Sequence, residues 1–473
     1  MNVLICASEG APFAKTGGLA DVIGALPKAL KDNGCDARVI MPYYKRIKDM
    51  NIAYYKGYAY VRLGTKMEYV GIFHAIRDGI DFYFIDNDKY FYRESLYGYG
   101  DDGERFAFFD FAVLEALKVV GFFPDVIHCN DWQTGLIPYI KKCNYWQYPE
   151  YGRIKTVYSI HNIQYQGVFP LDMMSILYMP YSSTLEFDGC INFMKTGIME
   201  SDSITTVSPT YKDEVLTDYF GYKLNGVLGM RYFNFMGILN GIDVDKYNPE
   251  TDKHIYKNYG IKDFKKGKAA NKKALLEEFG LDSKEDVPLF GLVSRLVDQK
   301  GIDLLMPIMD DIIYNSNAKF ILMGSGDEIY ENFFRSLEGR YPDRFKCYIG
   351  YSDPIAQKIY AGCDLFLMPS KFEPCGLGQM IAMRYGTLPV VRETGGLRDT
   401  VTPYNQYTGY GTGFTFTNFN SYDLKEVMYL AIYLYNHERE AFNKMVKFAM
   451  EKDYSWKASA SVYLELYNNL VNS

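Results

Sequence analysis

Lys15-Thr16-Gly17-Gly18-Leu19-Ala20-Asp21 lies between an apolar run, Val3-Leu4-Ile5-Cys6-Ala7, and a segment with helical spacing of apolar residues from Leu19 to Lys31. The run has the length and branching of a buried parallel strand, so the stretch reads as a strand-to-helix loop. Two glycines let the backbone approach a ligand closely. The first N–H groups of the following helix point into the same space, and Lys15 adds a mobile positive charge. Such a loop suits a phosphate or a sugar phosphate. The pattern returns as Glu393-Thr394-Gly395-Gly396-Leu397-Arg398-Asp399, and both copies read Thr-Gly-Gly-Leu-x-Asp. One such loop in each half predicts two similar halves facing one cleft.

A chain of 473 residues is too long for one ordinary core, and two domains of roughly 200 residues or more are expected. The net charge of −7 argues against a broad basic surface for nucleic acid. Aromatic residues make up 16% of the chain, with 44 Tyr but only 3 Trp. Tyrosine joins an apolar face to a polar tip and suits carbohydrate surfaces, although composition alone favours a tyrosine-rich core. Eight cysteines are scattered without a CxxC, mostly in apolar runs. They read as reduced core thiols, and no metal-ligand cluster is visible. The N-terminus enters a strand directly, without the pattern of a targeting peptide, and no run is long enough to span a membrane. A cytoplasmic protein is expected.

Strand and helix patterns alternate along the first half. Ala37–Met41, a segment around Val61 and Asp81–Ile85 read as strands, the latter two as a hairpin-like excursion. Tyr97–Gly103 reads as a flexible aromatic loop, and Arg105–Val120 as a helix. Asp125–Trp132, Thr156–Asn162 and Ser203–Ser208 each read as a strand ending in polar residues. Ligands bind at that edge of open α/β sheets, although such residues can also cap helices. Asn240-Gly241-Ile242-Asp243 is a turn signal followed by a charged stretch, Lys253–Lys273. The expected domains are 1–245 and 246–455, with a final helix within 456–473 packing back onto the first. Strands are expected again at Leu289–Ser294, Phe320–Gly324, Phe345–Ile349, Leu365–Met368 and Leu388–Val391. Their spacing of about one helix is that of βαβ units.

Arg295 and Lys300 flank a short loop after the strand ending at Ser294, and Gly301 opens the next helix. Two cations there form an anion clamp, suited to a diphosphate leaving group whose charge grows in the transition state. Glu373-Pro374-Cys375-Gly376-Leu377-Gly378 follows another strand, and Pro374 fits the first position of a helix. Glu373 then reads equally as a sugar-hydroxyl acceptor or as ordinary helix N-terminal charge. His161 at a strand end can orient a hydroxyl or move a proton, but taken alone it reads as a satisfied core histidine. No GxGxxG fingerprint, nucleophile elbow or Walker lysine loop is present.

Taken together, these motifs resemble bacterial glycogen synthases and starch synthases, retaining glycosyltransferases of family GT5. The resemblance covers essentially the whole chain. It rests on Lys15–Leu19, His128-Cys129-Asn130-Asp131-Trp132, His161-Asn162, Asn240–Asp243, Ser294-Arg295-Leu296 with Lys300-Gly301, Gly350-Tyr351, Glu373–Leu377 and Thr394–Leu397. It implies an α/β protein of the GT-B fold, two Rossmann-like domains around a deep cleft. It also implies transfer of glucose from ADP-glucose to the non-reducing 4-hydroxyl of an α-1,4-glucan, with no metal or other cofactor. A UDP-glucose-dependent or other retaining GT-B enzyme, or an inactive glucan-binding homologue, is the alternative.

On this resemblance Lys15, His161, Arg295, Lys300 and Glu373 are the catalytic set. Arg295, Lys300, Lys15 and Gly18 lie at the donor phosphates, and Tyr351 stacks on the base. Glu373 and the amides of Cys375, Gly376 and Leu377 hold the glucose with His161 and Asn240, while Thr394 and Gly395 face the nucleotide. Glu9, Asp21, Tyr97, Asp131 and Asn162 are the acceptor-side candidates. The chain departs from the family pattern at Gly378, where a threonine is usual. Ile381 stands where related retaining enzymes often carry a second glutamate. Without a carboxylate pair, front-side attack is favoured over a covalent glycosyl-enzyme.

Overall fold

The apolar runs read as buried strands all form strands in the computed structural model, which describes residues Met1–Ser473. The chain divides into two units: Met1–Gly241 with Trp456–Ser473, and Ile242–Ser455. The division falls a few residues before the position suggested by the turn signal. Ile242 already belongs to the second unit, because its N–H donates to Tyr454 O at 2.8 Å.

The strands of the N-terminal unit begin with β1 (Asn2–Cys6), β2 (Asp36–Pro42), β3 (Tyr54–Leu63), β4 (Lys66–Arg77) and β5 (Ile80–Asp86). They continue with β6 (Val126–Asn130), β7 (Lys155–Ile160), β8 (Val168–Phe169), β9 (Glu186–Phe187), β10 (Cys190–Asn192), β11 (Ser203–Thr206) and β12 (Phe235–Gly237). Nine of them form one sheet in the order β12-β11-β7-β6-β1-β2-β5-β4-β3. All pairings from β12 through β5 are parallel, and β4 and β3 are added antiparallel. Ile5 of β1 lies opposite Val39 of β2 and His128 of β6. β8, β10 and β9 form a small separate sheet. The order of the main sheet reverses between β1 and β6, and the chain leaves both strands at their carboxyl ends.

The second unit contains β13 (Leu289–Leu296), β14 (Lys319–Gly326), β15 (Phe345–Ile349), β16 (Leu365–Met368), β17 (Leu388–Arg392) and β18 (Phe414–Phe416). They form a parallel sheet in the order β15-β14-β13-β16-β17-β18. This is the dinucleotide-fold order, with its reversal between β13 and β16. Parallel strands buried on both faces need near-continuous apolar sequence, which is why these runs were readable.

Two segments differ from expectation. The Tyr97–Gly103 stretch is not loose. Gly98 N donates to Asp102 Oδ2 at 2.8 Å, Arg93 forms a bidentate pair with Asp101, and buried Arg105 bonds Asp102 and the Tyr90 and Leu96 carbonyls. The helix expected to begin at Pro374 begins at Gly378 instead. Gly376 adopts φ +72°, a left-handed conformation that a helix cannot contain, so Glu373–Leu377 is a loop.

The last helix, Trp456–Val471, packs on the Gly18–Asp32 helix within the N-terminal unit. Tyr467 OH bonds His128 Nδ1 at 2.7 Å, and His128 Nε2 bonds Ser159 Oγ at 2.5 Å. Both imidazole nitrogens are thus satisfied inside the core, and burial drives the His128 pKa down to about 3.

Candidate active site

Each unit carries a cluster of polar side chains where its strand order reverses. In the N-terminal unit, the chain leaving β1 bends back so that Glu9 Oε2 accepts both the backbone N–H and the hydroxyl of Thr16, each at 2.6 Å. Burial raises the Glu9 pKa against the lowering effect of these bonds. Glu9 therefore holds the Lys15–Asp21 loop closed. Gly18 opens the helix, and a Cβ placed there would meet no atom within 4 Å. Lys15 Nζ lies 2.7 Å from Asp21 Oδ1, with both side chains substantially exposed. Such a pair is worth little and is readily exchanged for another anion. Tyr97 OH bonds Ser8 Oγ at 2.8 Å, which places the phenol beside Glu9 in the chain.

Asp131 follows β6 at φ 57°, and its Oδ1 accepts the backbone N–H of His161 at 2.8 Å and of Asn162 at 3.4 Å. The carboxylate thereby fixes the end of β7. His161 Nε2 bonds Asn130 Oδ1 at 2.9 Å. Asn130 Nδ2 donates to the Cys6 and His128 carbonyls, so the amide oxygen is the acceptor and His161 Nε2 carries the proton. Nδ1 is left as a bare acceptor. Burial lowers the His161 pKa to about 4, which keeps the ring neutral at pH 7. Asn130 was not singled out from sequence as a site residue, although it sets this tautomer. Asn162 Oδ1 accepts from Gln164 N at 3.0 Å, a local turn. Asn240 follows β12 and is buried, and its Oδ1 has no hydrogen-bond partner. A buried polar atom left so calls for one.

Burial also raises the Asp131 pKa to about 7. The folded state then keeps a proton that the unfolded chain releases near about pH 4. Stability contributed by this group is present at low pH and is lost as pH rises to 7, by up to about 1.4 kcal/mol per pH unit. Asp131→Asn cannot ionise and keeps an acceptor for the two N–H groups. Its stability relative to the unsubstituted chain should rise between pH 5 and 7 and level off above, as read by urea unfolding across that range. Equal pH slopes for both proteins would contradict the assignment.

In the second unit, Arg295 is the second-last residue of β13 rather than beyond it, and is exposed. Lys300 closes a short 3-10 turn before Gly301, which has φ +68°. A Cβ on Gly301 would stand 2.1 Å from Pro369 O, so glycine lets the loop after β13 pass against the loop after β16. There Lys300 Nζ meets Glu373 Oε2 at 2.5 Å, and Ser370 Oγ donates to the same oxygen at 3.0 Å. The expected clamp of two free cations is thus one exposed guanidinium and one ammonium bound to Glu373. Ser370 had no signal in sequence that marked it.

Gly395 and Gly396 open the helix Gly395–Thr400 after Thr394. Gly396 N donates to Glu373 O at 3.1 Å, and a Cβ on Gly396 would stand 2.1 Å from Cys375 O. Gln379 Nε2 bonds the Cys375 and Gly376 carbonyls. The structure thus gathers Arg295, Lys300, Glu373, Cys375, Gly376, Leu377, Thr394 and Gly395 around the β13–β16 reversal. Tyr351 stands apart, after β15; the residue is 63% exposed and its OH lies 2.5 Å from Asp353 Oδ1. No group of three or more His, Cys, Asp or Glu side chains is arranged to hold a metal ion.

Residues 2–230 match the family described as the starch synthase catalytic domain, and residues 276–447 match glycosyl transferases group 1. Glycogen synthase of Acholeplasma laidlawii (strain PG-8A) is 48% identical over 481 aligned residues, covering 100% of this chain and 99% of that protein. Glycogen synthase of Bacillus cereus (strain B4264) is 48% identical over 479, covering 100% of both. The catalytic domain of starch synthase IV from Arabidopsis thaliana, solved with ADP and acarbose, has a TM-score of 0.91 at 33% identity and covers 100% of this chain and 99% of that one. Sucrose-phosphate synthase from Thermosynechococcus elongatus shares the fold alone, with a TM-score of 0.61 at 17% identity. With both halves matched over their length and a nucleotide-fold site in the second, the chain belongs to the glycogen synthase and starch synthase family of glucosyltransferases, with the GT-B fold.

Proposed function

We propose that the chain transfers glucose from ADP-glucose to the non-reducing 4-hydroxyl of an α-1,4-glucan such as glycogen, with retention of configuration. The observation that carries this reading is the Lys300–Glu373 pair, with Arg295 at the end of β13, at the reversal between β13 and β16. The ADP and acarbose held by the Arabidopsis relative support the choice of donor and acceptor. Arg295 and Lys300 stabilise the departing diphosphate, where negative charge grows as the glycosidic bond breaks. Lys300 and Ser370 both bond Glu373 Oε2, which leaves Oε1 for a glucose hydroxyl. Main-chain N–H groups of Cys375–Leu377 take further hydroxyls, and the exposed Tyr351 ring stacks on the base. Neutral His161 at Nδ1 and buried Asn240 at Oδ1, both in the N-terminal unit, each offer an acceptor to a sugar hydroxyl. Glu9, Asp21, Tyr97, Asp131 and Asn162 receive the glucan end.

Ile381 leaves no second carboxylate, so the leaving phosphate accepts the acceptor's proton on the same face. Arg295, Lys300 and Lys15 supply the positive charge, and chelators should leave turnover unchanged. We place the chain in the cytoplasm, where its eight free cysteines stay reduced. No helix is long and apolar enough to cross a membrane.

The test is ADP release from ADP-glucose with glycogen, alongside UDP release from UDP-glucose. Release with UDP-glucose alone would reassign the donor, and release with neither would favour a glucan-binding homologue. Lys15→Ala should lower kcat about a hundredfold, since a cation at the leaving group acts mainly in the transition state. Its melting should be unchanged, because the Lys15–Asp21 pair is exposed. Near-normal turnover of this variant would remove Lys15 from the mechanism.

A further inference from the structure

Gln379 lies in the first turn of the Gly378–Arg384 helix and is fully buried. Its Nε2 donates to Gly376 O at 2.9 Å, to Cys375 O at 3.1 Å and to Thr400 Oγ1 at 3.1 Å. Thr400 Oγ1 donates its own hydrogen to Gly396 O at 2.6 Å, so toward Gln379 it can only accept. Three acceptors around one side-chain nitrogen fix which way the amide faces. In a longer helix the two loop carbonyls would pair with main-chain N–H groups. Here the first helical bond runs from Ile381 N to Leu377 O at 3.0 Å, because Gly376 has φ +72°. The Gln379 side chain takes the place of the missing main-chain donors.

This arrangement decides where the N–H groups of the loop point. The Cys375–Gly376 and Gly376–Leu377 peptide units are trans, so in each the N–H lies on the side opposite the carbonyl. With both carbonyls turned in to Gln379, the N–H groups of Gly376 and Leu377 are turned away from it. No hydrogen bond within the chain uses either of them. Two neighbouring main-chain donors without partners are ready for a ligand's oxygens. Gln379 Oε1 has no partner, so the residue acts on the loop through Nε2 alone. A Cβ on Gly376 would stand 2.5 Å from that oxygen, so glycine is needed there for space as well as for its φ.

We propose that Gln379 is a positioning residue for the transfer. Its side-chain amide aims the Gly376 and Leu377 N–H groups at hydroxyls of the donor glucose. The inference rests on the reading of the chain as a glucosyltransferase whose loop amides hold that sugar. Gln379 is 0% exposed and reaches the sugar only through these N–H groups. It makes no bond to Arg295 or Lys300, so its loss should be felt at the glucose and not at the diphosphate.

Gln379→Met keeps the length of the side chain and removes the donor. With ADP-glucose, kcat/KM should fall about tenfold to thirtyfold, the scale of a slight misplacement beside the reacting sugar. The inhibition constant of ADP should stay within about twofold. The decisive readout uses the four monodeoxy forms of ADP-glucose, lacking the 2-, 3-, 4- or 6-hydroxyl, or the UDP-glucose series if that is the donor used. Loss of a hydroxyl held by these N–H groups should cost the unsubstituted protein about tenfold or more in kcat/KM. The same loss should cost Gln379→Met less than about threefold, since the contact is already gone. Equal penalties in both proteins for all four analogues would overturn the proposal, because a merely structural defect lowers every donor by one factor. If the unsubstituted protein uses neither nucleotide sugar, the proposed reaction fails, and a crystal structure of Gln379→Met still reads the loop. The Cys375–Gly376 and Gly376–Leu377 peptide planes should turn in it, and unchanged planes would defeat the assignment. Hydrogen exchange on the unsubstituted protein needs no variant to fold. ADP-glucose should slow exchange at Gly376 and Leu377 more than ADP does, and equal protection by both would also defeat the proposal.

Discussion

Glu373→Gln should lower transfer by about a hundredfold to a thousandfold, the scale seen when a fixed electrostatic group is removed from a transition state. The substitution keeps the shape of the side chain and removes its charge. It also strands Lys300, whose ammonium sits 2.5 Å from Glu373 Oε2 with side-chain exposures of 16% and 9%. Removing one partner of a buried pair costs more than the pair itself contributes, here about 3 kcal/mol in unfolding. Lost activity alone would therefore not separate chemistry from folding. Glu373→Gln/Lys300→Met removes both charges and should recover most of the stability, because no ion is left unpaired. Activity should remain lost, since neither the diphosphate nor the sugar hydroxyl regains its partner. Urea unfolding with initial rates on all three proteins measures this, and recovery of turnover in the double variant would mean that Glu373 serves folding alone.

The second large effect is expected at Gly396, and its control is the matching glycine of the other loop. A Cβ on Gly396 would stand 2.1 Å from Cys375 O and 2.5 Å from Cys375 Cα, both backbone atoms with no rotamer to yield. Gly396→Ala must push the Glu373–Leu377 loop away, at a cost of about 3 kcal/mol. A displacement near an ångström there should cut kcat/KM about a hundredfold. Gly18→Ala places its methyl in open space at the start of a helix, where alanine is preferred. It should fold at least as stably as the unsubstituted chain. If Gly18 faces the donor phosphates, that stable variant should nonetheless bind ADP more weakly. Unaltered ADP affinity would leave the first loop without a donor role.

These two loops show what could be read from sequence. The repeated Thr-Gly-Gly-Leu-x-Asp announced two similar halves, and the strands showed because parallel strands buried on both faces are nearly all apolar. The use of each glycine pair was hidden. At Gly395 and Gly396 it depends on a loop some twenty positions earlier; at Gly17 a Cβ would meet only Glu9 Oε1, at 3.7 Å, and at Gly18 the space is open. The Lys300–Glu373 pair spans 73 positions and leaves no local pattern. Pro374 was a fair helix-start signal, outweighed by the positive φ of Gly376. Asn130 stood in a quoted motif, but its control of the His161 tautomer comes from contacts with Cys6 and His128 that only the folded sheet creates. The three-residue strand β18 was too short to give a periodic signal.

The final helix has a consequence for how the chain is made. Trp456–Val471 supplies the Tyr467 hydroxyl to His128 and covers the Gly18–Asp32 helix, yet it is synthesised only after the whole second unit. Until then the N-terminal unit, though synthesised first, lacks one wall of its core and one partner for a buried imidazole. The second unit is encoded as an insertion, with Ile242 and Ser455 side by side at its entry and exit, and it can complete its fold while its host waits. A chain cut before Trp456 should thus yield a protein whose second unit is sound and whose first is a target for proteases.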